Sequence, residues 1–388
     1  MSVAKLCEVL AHNNDTDLEV FTTTANGINE LAVEQNKQVN VDGVPVTYFK
    51  RLTKDHTHFS PALLLALRKK IKEQRGRSNE KPRTKNNLLI HIHSWWNLVT
   101  IFSCLVAKLN RVPVVLSPRG MLTNYTQNNR NSFFKATLHE LIGKSLLKYV
   151  HIIASSEQEK QDVLKIIKPK SITVLPNLVS LPKEQEIRSN DCHPALSKET
   201  TSTSNNEQPF NLLFLSRIEE KKGLDILFDA LEKLTIPWTL NIAGNGEETY
   251  LESLKLKAKS LKIDSQITWL GQISNSDKFE LIAKHDLLVL TSYNENFANV
   301  VIESLYVGTP VFVSKEVGLS NYVDANNLGF ITSLDSQQIA NDLNEAYLRS
   351  DKRELIRLQA PAIISHDFDE EVLSQKYIKL YQQILNEP

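Results

Sequence analysis

Two glutamates, Glu295 and Glu303, bound the run Glu295-Asn-Phe-Ala-Asn-Val-Val-Ile-Glu303. The run follows apolar Leu287-Leu-Val-Leu-Thr291 and opens an amphipathic stretch, which predicts a strand, a loop and a helix in that order. Phe297, Ala298 and Asn299 then fall at the helix's first turn, where backbone N–H groups lack intrahelical partners and attract anions. Glu303 lies one to two turns further on, and two carboxylates beside a phosphate site make sense if one of them accepts hydrogen bonds from sugar hydroxyls, as a ribose diol offers. On spacing alone, two ordinary surface glutamates fit as well. A second cluster is Phe214-Leu-Ser-Arg-Ile-Glu-Glu-Lys-Lys-Gly223. A strand ends at Ser216, its loop brings Arg217 and Lys222, and Gly223 opens the next helix. A guanidinium fork with an ammonium point charge suits a diphosphate. A third is Ala243-Gly-Asn-Gly-Glu247, in which Gly244 and Gly246 allow a tight turn around Asn245 and close backbone approach.

Other residues are ambiguous. His91 and His93 share one strand face without a third metal ligand nearby in sequence, so they read as a core or cleft-lining pair, with His93 a substrate contact. Trp95-Trp96 follows that strand, placed either to stack on a sugar or to pack. Asp15-Thr-Asp17 has a metal-binding spacing but precedes its strand, so it reads as a polar turn.

These residues need a scaffold, and the hydrophobic pattern supplies one. Strands are predicted over 18–23, 46–49, 88–93, 112–117, 150–154 and 172–175, and again over 211–216, 239–243, 267–270, 287–291, 310–313 and 329–331. Helices are predicted between them, among them 96–109, 156–167, 224–234, 247–261, 274–284, 300–306 and 336–348. Alternation of this kind implies βαβ units and parallel sheets, and it occurs twice. The break is the polar stretch 184–209, an exposed linker. Two Rossmann-like domains joined this way are expected to face a central cleft.

The chain has 388 residues and a formal net charge of zero, unevenly spread. Residues 1–184 hold 26 Lys+Arg against 15 Asp+Glu; residues 185–388 hold 19 against 30. The densest basic stretch, Arg68 to Lys85, reads as a solvated helix end and loop, or as a face for an anionic membrane or a phosphate-bearing substrate. It has no aromatic residue to stack on bases, which disfavours nucleic acid. Arg130 to Lys148 adds an amphipathic basic pattern. No run reaches the length of a membrane span, the opening residues do not read as a signal peptide, and three scattered cysteines fit a reducing cytoplasm.

Together, Arg217 with Lys222-Gly223, Ala243-Gly-Asn-Gly246, Trp269-Leu-Gly271, Glu295 through Glu303 and Gly308-Thr-Pro-Val311 resemble, in order and spacing, retaining glycosyltransferases of family 4, which have the GT-B fold. Leu175-Pro-Asn177 is similar to that family's segment before the domain crossover. His91-Ile-His-Ser-Trp-Trp96 and Ser117-Pro-Arg-Gly-Met-Leu122 are similar to its central N-domain strands and loops. The resemblance implies an acceptor-side domain over 1–183, a nucleotide-sugar domain over 210–365, and a helix over 366–388 crossing back to the first domain. It implies that Arg217 and Lys222 hold a donor diphosphate, Glu303 the ribose, and Glu295 the transferred sugar or its phosphate. Phe297, Ala298, Asn299, Gly244 and Asn245 would line the donor, and His93, Arg119 and Trp95 the acceptor.

Arg119 stands where many relatives have His; it cannot act as a base but can hold a phosphate or a hydroxyl. The resemblance implies a uridine nucleotide and no metal. The opening Ser2 to Leu10 looks like the end of the family's first helix, so its first strand and Gly-rich loop are expected to be missing. The expected reaction is sugar transfer to a glycan or lipid-linked glycan in surface polysaccharide assembly, in the cytoplasm or at the inner membrane face. A nucleotide-sugar epimerase of the same fold and an inactive nucleotide-sugar-binding protein are the alternatives.

Overall fold

The computed structural model describes residues 2–13, 16–27, 29–53, 57–78, 88–123, 142–182 and 209–387. The expected linker, the Arg130–Lys148 pattern, Asp15 and the second half of the Arg68–Lys85 stretch fall wholly or mostly outside them. The chain divides into two compact units: residues up to Leu178 with Glu370 onward, and Val179–Asp369. The sequence reading put these boundaries near 183 and 366.

The first unit opens with helix α1 (Ser2–Ala11). Strands β1 (Val20–Thr23) and β5 (Val44–Phe49) pair in parallel, and β4 (Gln38–Val41) joins β5 antiparallel through the Asp42-Gly43 turn. The short pair β2 (Ala25–Asn26) and β3 (Asn29–Glu30) stands apart. Helix α2 (Pro61–Ser78) ends within the basic stretch, and Leu63, Leu67 and Ile71 give it an inward face. A second sheet runs β6 (Ile90–His93), β7 (Val114–Ser117), β8 (His151–Ala154) and β9 (Ser171–Val174), all parallel. β7 and β8 are buried at every position, as expected of strands covered on both faces.

Helix α3 (Leu98–Leu109) crosses from β6 to β7; its start is set by Asn97, whose side chain accepts from the Thr100 amide at 2.8 Å. α4 (Lys144–Leu147) and α5 (Glu157–Ile166) follow, and Ser156 caps α5. The core joins Ile92, Trp95, Ile101, Leu116, Ile152 and Val163. Cys104 lies in it, and burial pushes its thiol up to about 12.

The second unit is one six-stranded parallel sheet in the order β12-β11-β10-β13-β14-β15. These are β10 (Phe210–Leu215), β11 (Trp238–Ala243), β12 (Ile267–Gly271), β13 (Leu287–Leu290), β14 (Val311–Ser314) and β15 (Gly329–Thr332). Helices α6 (Leu224–Leu231), α7 (Glu248–Ser260), α8 (Asn275–Ala283), α9 (Asn299–Tyr306), α10 (Ser320–Ala325) and α11 (Ser336–Leu348) connect and cover them. α12 (Ser350–Asp367) was not expected; it contains Pro361, yet buried Ile356, Ala360 and Ile364 give it a helical stripe. The last helix, α13 (Glu370–Leu385), belongs to the first unit, where the Tyr377 hydroxyl donates to the Pro176 carbonyl at 3.1 Å.

Candidate active site

In the second unit the strand order reverses at β10, with β11 on one side and β13 on the other. Loops leaving the carboxyl ends of such strands diverge and open a crevice. Here they are stitched together. Gly244 has φ +141°, and a Cβ there would lie 1.8 Å from the Ser216 carbonyl oxygen, so only glycine brings the β11 loop against the β10 loop. The Gly244 amide donates to the Gly271 carbonyl at 2.7 Å and the Ile218 amide to the Asn245 carbonyl at 2.8 Å. Gly223, at φ +68°, similarly presses on the Thr291 carbonyl, where a Cβ would come within 1.9 Å. The Thr291 hydroxyl donates back to the Gly223 carbonyl at 2.8 Å, and the Tyr293 amide to the Lys221 carbonyl at 2.9 Å.

These ties aim Lys222. It ends a 3₁₀ turn, is buried, and its ammonium forms an ion pair with the Glu295 carboxylate. The Glu295 backbone is fixed by the 316–318 segment: its amide donates to Glu316, and the Gly318 amide donates to its carbonyl at 2.7 Å. Arg217 differs, being exposed and paired with Glu219 at 2.6 Å. Asn245 is also exposed and donates to the Gln272 side chain at 3.0 Å.

Helix α9 begins at Asn299, so Phe297 precedes the first turn rather than lying in it. Its cap is Ala298 in the left-handed region at φ +64°, without a side-chain cap; the Val301 amide donates to the Ala298 carbonyl at 2.9 Å, and the Asn299 and Val300 amides precede it in the first turn. The Phe297 ring is buried edge-on against Phe368, centroids 6.2 Å apart, so it can serve the site through its backbone only. Glu303, nearly buried, receives Lys278 of α8 at 2.8 Å. Nothing in the sequence marked Lys278, one lysine on an amphipathic helix.

The first unit gathers a different set at the ends of β6 and β7. The rings of His91 and His93 lie 4.1 Å apart. His91 shares Nδ1 with the Tyr381 hydroxyl at 2.7 Å and Nε2 with the Ser117 hydroxyl at 2.9 Å. Burial, then His93 and Arg119, holds the His91 imidazole well below its ordinary range; burial, then Arg119, brings His93 down to about 3. Among the described residues the buried His93 Nδ1 has no hydrogen-bond partner. Arg119 has a left-handed backbone at φ +56° and donates to the Asn177 side chain.

Behind it the buried Glu159 accepts from the Gly120 amide at 2.6 Å and from the Ser155 amide at 2.7 Å. Ser156-x-x-Glu159 is a capping-box pattern, a signal that was present in the sequence. Trp95 corrects an expectation: it is fully buried in the core and offers no face to a sugar. Among the described residues no group of three or more His, Cys, Asp or Glu could hold a metal ion.

Residues 1–182 match the family model Glycosyltransferase Family 4, and residues 197–361 match Glycosyl transferases group 1. A 41.2 kDa protein of the cps region of Klebsiella pneumoniae is 21% identical over 303 residues, 76% of this chain and 78% of that one. The alpha-monoglucosyldiacylglycerol synthase of Streptococcus pneumoniae is 23% identical over 317 residues, 80% of this chain and 66% of that one. Among solved structures, Anabaena HepE in complex with UDP and glucose superposes with a TM-score of 0.70 at 19% identity, covering 98% of this chain and 96% of that one. With one model matched by each half and the fold shared along nearly its whole length, the chain belongs to glycosyltransferase family 4 and has the GT-B fold.

Proposed function

We propose that this glycosyltransferase moves a sugar from a uridine nucleotide sugar to a glycan or lipid-linked glycan, with retention of configuration, in the assembly of a surface polysaccharide. The observation that carries the reading is the Lys222–Glu295 pair, held on the loops after β10 and β13 at the reversal point of the sheet. Cleaving a sugar–phosphate bond leaves negative charge on the diphosphate and positive character on the ring. Lys222, Arg217 and the uncapped amides of α9 oppose the first without a metal. Glu295, released from Lys222 as the diphosphate takes its place, lies where it can face the second. Glu303 accepts the ribose hydroxyls, and the β11 turn at Gly244 and Asn245 lets backbone approach the nucleotide.

On the acceptor side, Arg119 holds a phosphate or hydroxyl, with His93 beside it as a neutral hydrogen-bonding group. UDP and glucose in the HepE complex support a uridine donor, and the cps-region and glycolipid-synthase relatives support a surface-glycan or lipid-linked acceptor. The basic first half fits work at the inner face of the membrane.

The test is incubation with UDP-sugars in EDTA, following uridine diphosphate release and the anomeric configuration of the product by proton NMR. Transfer with the donor's configuration, unaffected by chelation, supports the reading. An inverted product, a strict metal requirement, or a changed nucleotide sugar without diphosphate release contradicts it.

A further inference from the structure

Glu303 is held by one cation. Lys278 Nζ reaches its Oε1 at 2.8 Å, and both side chains are mostly shielded, at 15% and 12% exposure. The two residues stand on a fixed frame. Ser274 caps α8 by accepting from the Asp277 amide at 3.2 Å, which sets the helical register of Lys278. The Thr309 hydroxyl, in the loop after α9, donates to the Ile282 carbonyl of α8 at 2.9 Å, and the Ser304 hydroxyl of α9 donates to the Thr309 carbonyl at 2.9 Å. The Lys278 ammonium also sits 4.8 Å from the centre of the Phe279 ring, which further limits its positions.

A carboxylate offers about four lone-pair sites on two oxygens. With Oε1 drawn to Lys278, Oε2 and the remaining lone pair of Oε1 stay available to two O–H donors, the number a ribose 2′,3′-diol presents. A shielded carboxylate without its cation would be free to change rotamer and would bear an uncompensated desolvation cost. We propose that Lys278 is a positioning residue of the donor site: it orients Glu303 toward the ribose diol and so sets the preference for a ribonucleotide over its 2′-deoxy counterpart. This rests on the assignment of Glu303 to the ribose.

The experiment is calorimetric titration of uridine diphosphate and 2′-deoxyuridine diphosphate into the parent chain, Lys278→Met, Lys278→Arg and Glu303→Ala, with folding of each checked by circular dichroism. The parent should prefer the ribonucleotide by about tenfold, the scale of a lost hydrogen bond to a charged group. Lys278→Met should narrow this to about twofold, chiefly by weakening the ribonucleotide, and Lys278→Arg should keep most of it. Equal weakening of both ligands in Lys278→Met would mean a structural or direct nucleotide contact and would overturn the proposal. If Glu303→Ala abolishes the preference while Lys278→Met retains it, the Lys278 inference alone fails. If Glu303→Ala keeps the preference, or the parent has none, the ribose assignment fails and takes this inference with it.

Discussion

The strand-end loops of the two units treat charge in opposite ways. In the second unit basic and acidic side chains are matched in pairs a ligand can rearrange: Lys222 with Glu295 and Arg217 with Glu219 on the loops, and Lys278 with Glu303 across α8 and α9. In the first unit the polar groups at β6 and β7 are driven toward their neutral forms. Burial lowers His91 and His93, raises Tyr381, and pushes Tyr377 up to about 12, all around the Arg119 cation. The first arrangement suits a ligand with fixed negative charge. The second suits hydrogen bonding to uncharged hydroxyls beside one cation.

The largest expected effect breaks the charged side. Lys222→Ala should lower turnover by about 10²-fold or more, because its charge is worth most as the leaving group departs, while circular dichroism stays unchanged. Near-parental turnover of the folded variant would remove Lys222 from the chemistry.

The scaffold under that side should be fragile at particular glycines. Gly244→Ala places a Cβ 1.8 Å from a carbonyl oxygen and should cost about 2–4 kcal/mol in urea unfolding. Gly271→Ala, at φ +68° with open space around it, should cost only about 1–2 kcal/mol. Ala298→Gly relieves a left-handed alanine and should be neutral to stabilising. A Gly244→Ala protein as stable as Gly271→Ala would contradict the packing account.

The neutral side should announce itself in pH. A histidine whose folded pKa is about 3 lies below its unfolded value of about 6.5, so its contribution to stability is fully present above the unfolded value and is lost as pH falls from there toward 3. The slope should approach about 1.4 kcal/mol per pH unit for each such imidazole, and His93→Asn should reduce it. An unchanged slope in His93→Asn would show that this imidazole does not titrate across the transition.

A last expectation concerns the basic face. Arg68, Lys69, Lys72 and Arg75 are exposed along α2 beside exposed Leu65. No helix among the described residues is long and apolar enough to cross a membrane. Binding to anionic vesicles, at about 1 kcal/mol per cation, should appear at low salt and fade at high salt. Absence of co-sedimentation at low salt would leave this a solvated face.

The sheets were legible because their strands are short apolar runs, such as Val114–Ser117 and Leu287–Leu290, and each predicted strand has a counterpart within a residue or two at either end. The candidate donor-side residues stood out because glycines and charges at strand ends report backbone requirements locally. What the sequence hid was tertiary. Trp95 is placed by the core rather than by its position after a strand, and α12 forms around Pro361 because Ile356, Ala360 and Ile364 are buried. Lys278 meets Glu303 across 25 residues, and Tyr381 meets His91 across 290, which no local spacing announces.

The central claim, that the second unit's crevice binds a nucleoside diphosphate with Glu303 on the ribose, is tested most directly by calorimetry with uridine diphosphate on the parent, Glu303→Gln and Glu303→Ala. The account predicts binding to the parent, a loss of about 1–3 kcal/mol in Glu303→Ala, and a smaller loss in Glu303→Gln, which keeps one acceptor oxygen. Equal affinity for all three proteins would contradict it.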